Sequence, residues 1–401
     1  MLVMALLESL LDIIFYTLGV FLLLNCCYIL FFSLAGLRTI RSFNGSAVKY
    51  RRFAILIPVF REDLVILETS IAALQHQYAG HFDVFVIADG LKESTLQELR
   101  TNGARVIEVA FEKSTKGQAL AAAVTSLEID YDVVMVLDAD NIMEKNVLTK
   151  VNSAFEAGYK VVQTHRVAKN KETAFAFLDA VNEEISNHIY RKGSFALGLS
   201  AALIGSGMAF EYNYFKQIIA GIGDTVGEDK EMDFRIAKDK VQIAYLHDSL
   251  VFDEKVENAR VFTRQRTRWL AAQLELLKKY SKEMFAQLKM GNVEFMNKLV
   301  QVWLVPRTLL MATLGMLLLL SFFIPLGPPA IFWLGLLVML FVALLISVPG
   351  HYYKNKMLLK ALVRMPYAIV CMVAALFRIR KTKNSFMATP HKAVVSSKIN
   401  H

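Results

Sequence analysis

The chain has 401 residues, more than one average domain requires, and a formal net charge of +9. Hydrophobic residues make up 55% and charged residues 20%, which excludes a disordered chain and indicates a membrane-associated globular one. The basic balance suits anionic lipid or phosphorylated small molecules. The cations mostly flank apolar segments, which favours lipid, and no nucleic acid is expected as a partner.

Ile13 to Leu37 is almost uninterrupted apolar sequence, long enough to cross a hydrocarbon core of about 30 Å as a helix. No Lys or Arg precedes it, and it is too long for the apolar part of a signal peptide. Glu8 and Asp12 lie before it; Arg38, Arg41, Lys49, Arg51 and Arg52 follow. That asymmetry predicts an outside N-terminus and a cytoplasmic segment after the helix.

Phe53 to about Tyr280 reads as a soluble α/β unit. Three short apolar runs end in turn residues: Ala54 to Pro58, Phe82 to Gly90, and Tyr131 to Asp138. Helical patterns at Asp63 to Gln75, Ser94 to Arg100 and Gly117 to Leu127 lie between them. This alternation predicts a mostly parallel sheet with crossover helices. Ligands of such sheets gather beyond the carboxyl ends of the strands, where Pro58, Asp89 and Asp138 are expected.

Val302 to Ile324 and Ala330 to Val348 read as two crossings joined by the helix-breaking link Pro325 to Pro329. Leu358 to Phe377 has basic residues at both ends and Pro366 inside, which predicts an interfacial helix rather than a further crossing. The expected organisation is therefore a membrane helix at 1–40, a cytoplasmic α/β domain at 50–280, an interfacial helix and membrane hairpin at 281–350, and an interfacial helix with a basic tail at 351–401. Cys26, Cys27 and Cys371 all lie in apolar stretches without metal-ligand spacing.

Asp138-Ala139-Asp140 closes a strand-like run. Alternate residues of an extended chain point the same way, so both carboxylates can meet one ligand. Mg²⁺ or Mn²⁺ suits such hard oxygens, with phosphate completing the shell; a solvated, Asp-capped turn is the other reading. Glu228-Asp229 opens a helical stretch, where acids either complement the helix dipole or supply a general base. Lys116-Gly117 at a helix start can hold phosphate. Gly205-Ser206-Gly207 offers backbone that can lie close to a ligand. Gln265, Arg268 and Trp269 lie on a basic amphipathic helix with Arg264 and Arg266. One reading is a membrane-surface helix with snorkelling arginines. The other is a cation for a diphosphate and an indole for a sugar ring. The histidines show no metal spacing. No dinucleotide fingerprint, P-loop or G-x-S-x-G is present.

In this order the motifs resemble the membrane-bound family 2 glycosyltransferases, the group containing cellulose, chitin and hyaluronan synthases. The series runs Ile57-Pro58-Val59-Phe60-Arg61-Glu62, Ala88-Asp89-Gly90, Lys116-Gly117, Asp138-Ala139-Asp140, Gly205-Ser206-Gly207, Gly227-Glu228-Asp229 and Gln265-x-x-Arg268-Trp269. The resemblance implies a GT-A fold, an α/β Rossmann-like unit, that binds a UDP-sugar together with Mg²⁺ or Mn²⁺. Pro58 belongs to the first nucleotide-binding motif. Glu62 and Asp89 match positions that contact uridine, and Lys116 matches a diphosphate contact. Asp138 matches a nucleotide-sugar contact, Asp140 the metal ligand, and Asp229 the catalytic base. Trp269 would stack on the acceptor, with Gln265 and Arg268 beside it. Gly227 and Ser206 stand where many members carry Thr, and Phe386-x-x-Thr389-Pro390-His391 is similar to a C-terminal motif of some members.

The implied enzyme is an inverting hexosyl- or N-acetylhexosaminyltransferase, integral to the cell or inner membrane. Its implied product is a growing polysaccharide. Three or four spans are few for a private polysaccharide channel, so a glycolipid synthase resembling ceramide glucosyltransferase is the rival, with a lipid-linked acceptor. A non-catalytic scaffold is disfavoured because Asp140 and Asp229 are both present. The sequence is compatible with a homo-oligomer.

Overall fold

The computed structural model describes residues 2–45, 48–112, 114–127, 131–222, 225 and 227–379. The tail motif at 386–391 lies outside them. The strands are β1 Phe53–Phe60, β2 Phe82–Asp89, β3 Arg105–Val109, β4 Val133–Val136, β5 Ile142–Met143, β6 Val161–Ala168, β7 Met208–Glu211 and β8 Ile243–Asp253. They form one sheet in the order β3-β2-β1-β4-β7-β6-β8-β5. The first four in that order are parallel, β7 is antiparallel to both neighbours, and β6 and β8 are parallel.

The runs that read as strands are strands because both faces of the sheet are covered, which favours near-continuous apolar sequence. Ile55, Ile57 and Val59 join Val84, Val86, Val133 and Met135 in one layer. Ala54 and Leu56 join Phe85, Ile87, Val134 and Val136 in the other. Helices Asp63–Leu74, Glu93–Thr101 and Val147–Glu156 cover the first layer through Ile66, Leu99 and Val151. Helices Lys116–Ser126 and Tyr212–Ile219 cover the second through Leu120 and Phe215. Pro58 is not at a strand end: β1 runs on to Phe60, and Pro58 pairs with Ile87 inside the sheet.

The first helix, Leu2–Ala35, starts earlier than the apolar run suggested. It packs against helix Ala330–Ser347, where the Ser33 hydroxyl lies 2.7 Å from the Ala343 carbonyl. The Asp12 carboxylate accepts from the Gly327 N–H, holding the Pro325–Pro329 link beside the first helix.

The run Val302 to Ile324, expected to cross as one segment, is not one continuous helix. Helix Val293–Trp303 ends, Leu304 to Pro306 breaks it, and helix Arg307–Leu320 continues after a bend of 56°. Pro306 has no N–H to continue the ladder and forces Val305 extended. The Gln273 amide then donates to the freed Val302 and Leu304 carbonyls, each at 2.9 Å. Among the described residues, Val3–Ala35, Ala330–Ser347 and Met357–Arg378 are long and apolar enough to cross a membrane. The bent pair makes a fourth if it counts as one span.

Helix Met357–Arg378 contains Pro366 without ending there. Ala368 and Cys371 pack on Phe175 and Phe262; Met372 and Ala375 pack on Leu270 and Leu309. Its other face leaves Leu359, Val363 and Val370 exposed. An apolar groove of about 520 Å³ opens between this helix, helix Ala259–Tyr280 and the bend at Trp303 to Pro306.

Candidate active site

Parallel pairing brings the ends of β1, β2 and β4 to one edge. Asp89 closes β2 opposite Phe60. The residue is 7% exposed, and its buried Oδ2 has no hydrogen-bond partner among the described residues. A buried acceptor left unmade is costly, so Asp89 suits a donor from a bound molecule. Glu62 is the N-cap of helix Asp63–Leu74 on the same edge.

Lys116 opens helix Lys116–Ser126, whose Thr115 cap accepts from the Gln118 N–H at 3.2 Å. The Lys116 ammonium donates to Asp138 Oδ1 and, at 2.6 Å, to the Gly205 carbonyl; it lies 4.0 Å from Glu228 Oε1. Burial pulls its pKa down, but Asp138, Glu228 and Asp229 together raise it, so Lys116 stays charged. Gly205 sits at φ +87°, a conformation open to glycine. A Cβ there would stand 3.8 Å from Lys116 Nζ and 3.9 Å from Asp229 Oδ2. The lysine and the carboxylate therefore flank one small space, kept open by the glycine.

Gly205-Ser206-Gly207 does more than turn the chain. The Asp138 N–H donates to Ser206 Oγ at 2.9 Å, and the same hydroxyl donates to Asn141 Oδ1. Asn141 in turn donates to Asp140 Oδ1 at 2.9 Å and to Asp253 Oδ1 at 3.0 Å. The Asp140 Oδ2 accepts from the Glu254 N–H at 3.0 Å. The Asp-Ala-Asp turn is thus a braced structure, not a solvated one.

Asp138 and Asp140 fit a divalent cation by donor type. Asn141 and the Glu254 N–H, one on each oxygen, orient the Asp140 carboxylate. No group of three His, Cys, Asp or Glu side chains suited to a metal occurs among the described residues. A cation here would take at most two protein carboxylates and fill its shell from phosphate oxygens and water, as Mg²⁺ commonly does.

Residues missed in the sequence surround this turn. Arg166 on β6 donates to Glu183 Oε1 at 2.6 Å and lies 3.7 Å from Asp138 and 3.8 Å from Asp253. Lys255 pairs with Glu183 and Asp253. Burial pushes the Asp253 carboxyl up to about 8, with Arg166 opposing and Asp140 and Asp138 adding to the rise. Asp253 ends the apolar run Leu250-Val251-Phe252 of β8, the same signature that marked Asp89 and Asp138. Arg166 carries no such local signal.

Helix Ala259–Tyr280 carries Gln265, Arg268 and Trp269. Gln265 Oε1 is buried with no partner among the described residues. Arg268 is held below its ordinary pKa by burial, opposed by Glu228 and Asp138. The surface reading of the arginines is corrected at Arg266. It is 4% exposed, pairs with Asp179, and lies 4.0 Å over the Trp269 ring. One indole face is therefore covered, while Trp269 as a whole is 44% exposed.

Glu228 and Asp229 open helix Glu228–Lys238. Burial pushes the Glu228 carboxyl up to about 7 from 4.5; Lys116 opposes this and Asp229 adds to it. Between those values the folded chain holds a proton that the unfolded chain has released. Its contribution to stability is complete below 4.5 and lost as pH rises through about 7. Thermal unfolding of the solubilised protein across this window should show wild type losing stability relative to Glu228→Gln. Parallel profiles would mean that Glu228 stays solvated.

The structure thus brings together Lys116, Asp138, Glu228 and Asp229, with Asp140 braced two residues along from Asp138. Asp89 and Glu62 stand on the same edge, and Trp269 is partly exposed on helix Ala259–Tyr280. Pro58 lies inside β1.

The family model described as glycosyltransferase like family 2 matches residues 51–272. The probable glycosyltransferase YdaM of Bacillus subtilis is 23% identical over 286 residues, covering 67% of each chain. An N-acetylglucosaminyltransferase of Azorhizobium caulinodans is 24% identical over 233 residues, covering 54% of this chain and 58% of that one. The chain thus spans little more than half of that second relative's length. The mannosyltransferase PcManGT of Pyrobaculum calidifontis, solved in complex with GDP-Man and Mn²⁺, superposes with a TM-score of 0.51 at 14% identity. That superposition covers 92% of this chain and 100% of the mannosyltransferase, a likeness of fold that carries the expected GT-A arrangement. With the family model covering more than half of the chain and the α/β domain entire from β1 to Trp269, the chain belongs to glycosyltransferase family 2.

Proposed function

We propose that this chain is an inverting glycosyltransferase that takes its sugar from a UDP-sugar. The observation that carries this reading is the space beside Gly205, flanked by Lys116 on one side and Asp229 on the other. Asp229 accepts the proton of an acceptor hydroxyl, whose oxygen bonds to the anomeric carbon. The bond from that carbon to the diphosphate breaks, and its electron pair leaves with UDP. Lys116 and Arg268 hold the diphosphate and offset the charge that grows on it. Asp138 orients the donor, Asp89 and Glu62 hold the uridine end, and Pro58 sets the strand beneath it. Gln265 and Trp269 line the acceptor side. Asp140, with Asp138, would hold a divalent cation, Mg²⁺ or Mn²⁺, which supplies further positive charge beside the diphosphate when bound.

By resemblance the acceptor is the end of a growing polysaccharide. A single sugar added to a lipid acceptor is the second reading, favoured by the apolar groove beside the Gln265-x-x-Arg268-Trp269 helix. The basic residues after Leu37 and after Val348 support a catalytic domain on the cytoplasmic side of the membrane.

The test is to incubate membranes with a panel of radiolabelled UDP-sugars, with GDP-sugars for comparison, and to size the product. Transfer from one UDP-sugar is expected; a panel without transfer or nucleotide release defeats the reading. Chelation with EDTA should abolish transfer, and Mg²⁺ or Mn²⁺ should restore it. Full activity after exhaustive chelation would remove Asp140 from a metal role.

A further inference from the structure

We infer that Glu294 and Lys298 of helix Val293–Trp303 are positioning residues for transfer: they hold the segment that ends in Gly205 against the helix of Asp229, and so set the space between Lys116 and the base. This rests on the reading of Asp229 as the base given above.

Residues 200–205 form neither helix nor strand, so their backbone groups need other partners. The Ser200 N–H donates to both Glu294 carboxylate oxygens at 3.0 Å. One turn further along the same helix, the Lys298 ammonium donates to the Ala201 carbonyl at 2.7 Å. The Leu203 N–H donates to the Asp233 carboxylate at 3.1 and 3.2 Å, and the Leu203 carbonyl accepts from Lys230. Gly205 follows, with its carbonyl on Lys116.

Asp233 ties this segment to the catalytic helix. It lies one turn after Asp229 on helix Glu228–Lys238, about 6 Å along the axis. Leu203 lies two residues before Gly205. The contact between Asp233 and Leu203 therefore joins the same two elements that face each other at Asp229 and Gly205. Lys298 closes the arrangement by also donating to Asp233 Oδ1 at 3.2 Å. Both side chains are buried, and a buried network bonded in this way holds one geometry.

The clamp comes from outside the α/β domain, because helix Val293–Trp303 is the first half of the bent apolar pair. Its cap Asn292 donates to the Ala237 carbonyl at 2.9 Å, and Phe295 packs on Phe234, both on the catalytic helix. Asn297 accepts from the Tyr28 hydroxyl of the first helix at 2.7 Å, and the Val305 N–H beyond the helix end donates to Asn25 at 2.8 Å. Contacts thus run without a break from the first apolar helix to the space beside Gly205. A contact that only stabilises the fold moves the unfolding midpoint. One that sets the place of the base also moves kcat, since a displacement of about 1 Å can cost about 10²-fold.

The test uses the full chain in nanodiscs, with the UDP-sugar that wild type turns over, well below each variant's unfolding midpoint. Glu294→Ala should lower kcat about tenfold or more while leaving UDP affinity nearly unchanged. Glu294→Gln, whose carbonyl still accepts from Ser200, should restore most of the rate. Lys298→Met with Asp233→Asn keeps an acceptor for Leu203 and leaves no buried charge of that pair unmatched, so it should fold and show the same loss of kcat. Because the clamp acts through Asp229, Glu294→Ala added to Asp229→Asn should cost little beyond Asp229→Asn alone. A wild-type kcat in Glu294→Ala overturns the inference. So does a loss that multiplies in full onto Asp229→Asn, the mark of general damage to the domain. The Glu294 variants decide this without the double variant. Either result leaves the transferase reading standing; wild type that releases no nucleotide from any donor defeats that reading and the inference with it.

Discussion

Asp229→Asn is expected to lower turnover by about 10²-fold or more while leaving UDP affinity nearly unchanged. The substitution keeps the shape of the side chain and removes its capacity to take a proton. Asp229 Oδ2 faces the space left by Gly205. Loss of the base should therefore spare the fold and the donor site. Asp89→Ala should do the reverse, weakening nucleotide binding first, because its buried Oδ2 has no hydrogen-bond partner among the described residues. Equilibrium UDP binding and single-turnover transfer, measured on both variants, separate the roles. Near-normal transfer by Asp229→Asn would send the search for a base to Glu228, whose carboxyl is already pushed up to about 7.

The second large effect is expected at Asp179. Its carboxylate pairs with Arg266, and both side chains are buried. Asp179→Ala strands the guanidinium away from water and should cost about 3–5 kcal/mol. Transfer should also fall, because Arg266 lies against Trp269 and Phe262 and fixes the indole proposed to line the acceptor side. Thermal unfolding of the solubilised protein reads the first effect. The double variant Asp179→Leu with Arg266→Met should recover most of the lost stability, since it leaves no unpaired charge. An unshifted midpoint in Asp179→Ala would mean that water reaches Arg266.

Much of the site was legible because its signals are local. Asp89 and Asp138 each follow an apolar run, and parallel strands bring such ends to one edge. Lys116 was legible as the first residue of a helix. Arg166, Glu183 and Lys255 were not, because the pairing of β6 with β8 and the packing of helix Ala174–Ser186 bring them to Asp138 from distant sequence. Arg266 misled for a similar reason: it alternates with Arg264 and Arg268 like a surface cation, and its partner Asp179 is 87 residues away. The bend at Pro306 was written in the sequence but hidden within an apolar run that hydropathy alone reads as one span. The groove is a tertiary product of that bend, the catalytic helix and Met357–Arg378, so no local pattern announces it.

The stereochemistry of transfer tests the central claim most directly. A single displacement with Asp229 as base inverts the anomeric carbon. Proton NMR of the product made from an α-linked UDP-sugar should therefore show a β linkage. An α linkage would contradict one-step transfer and require either a covalent intermediate or a front-face route that this site was not read to provide.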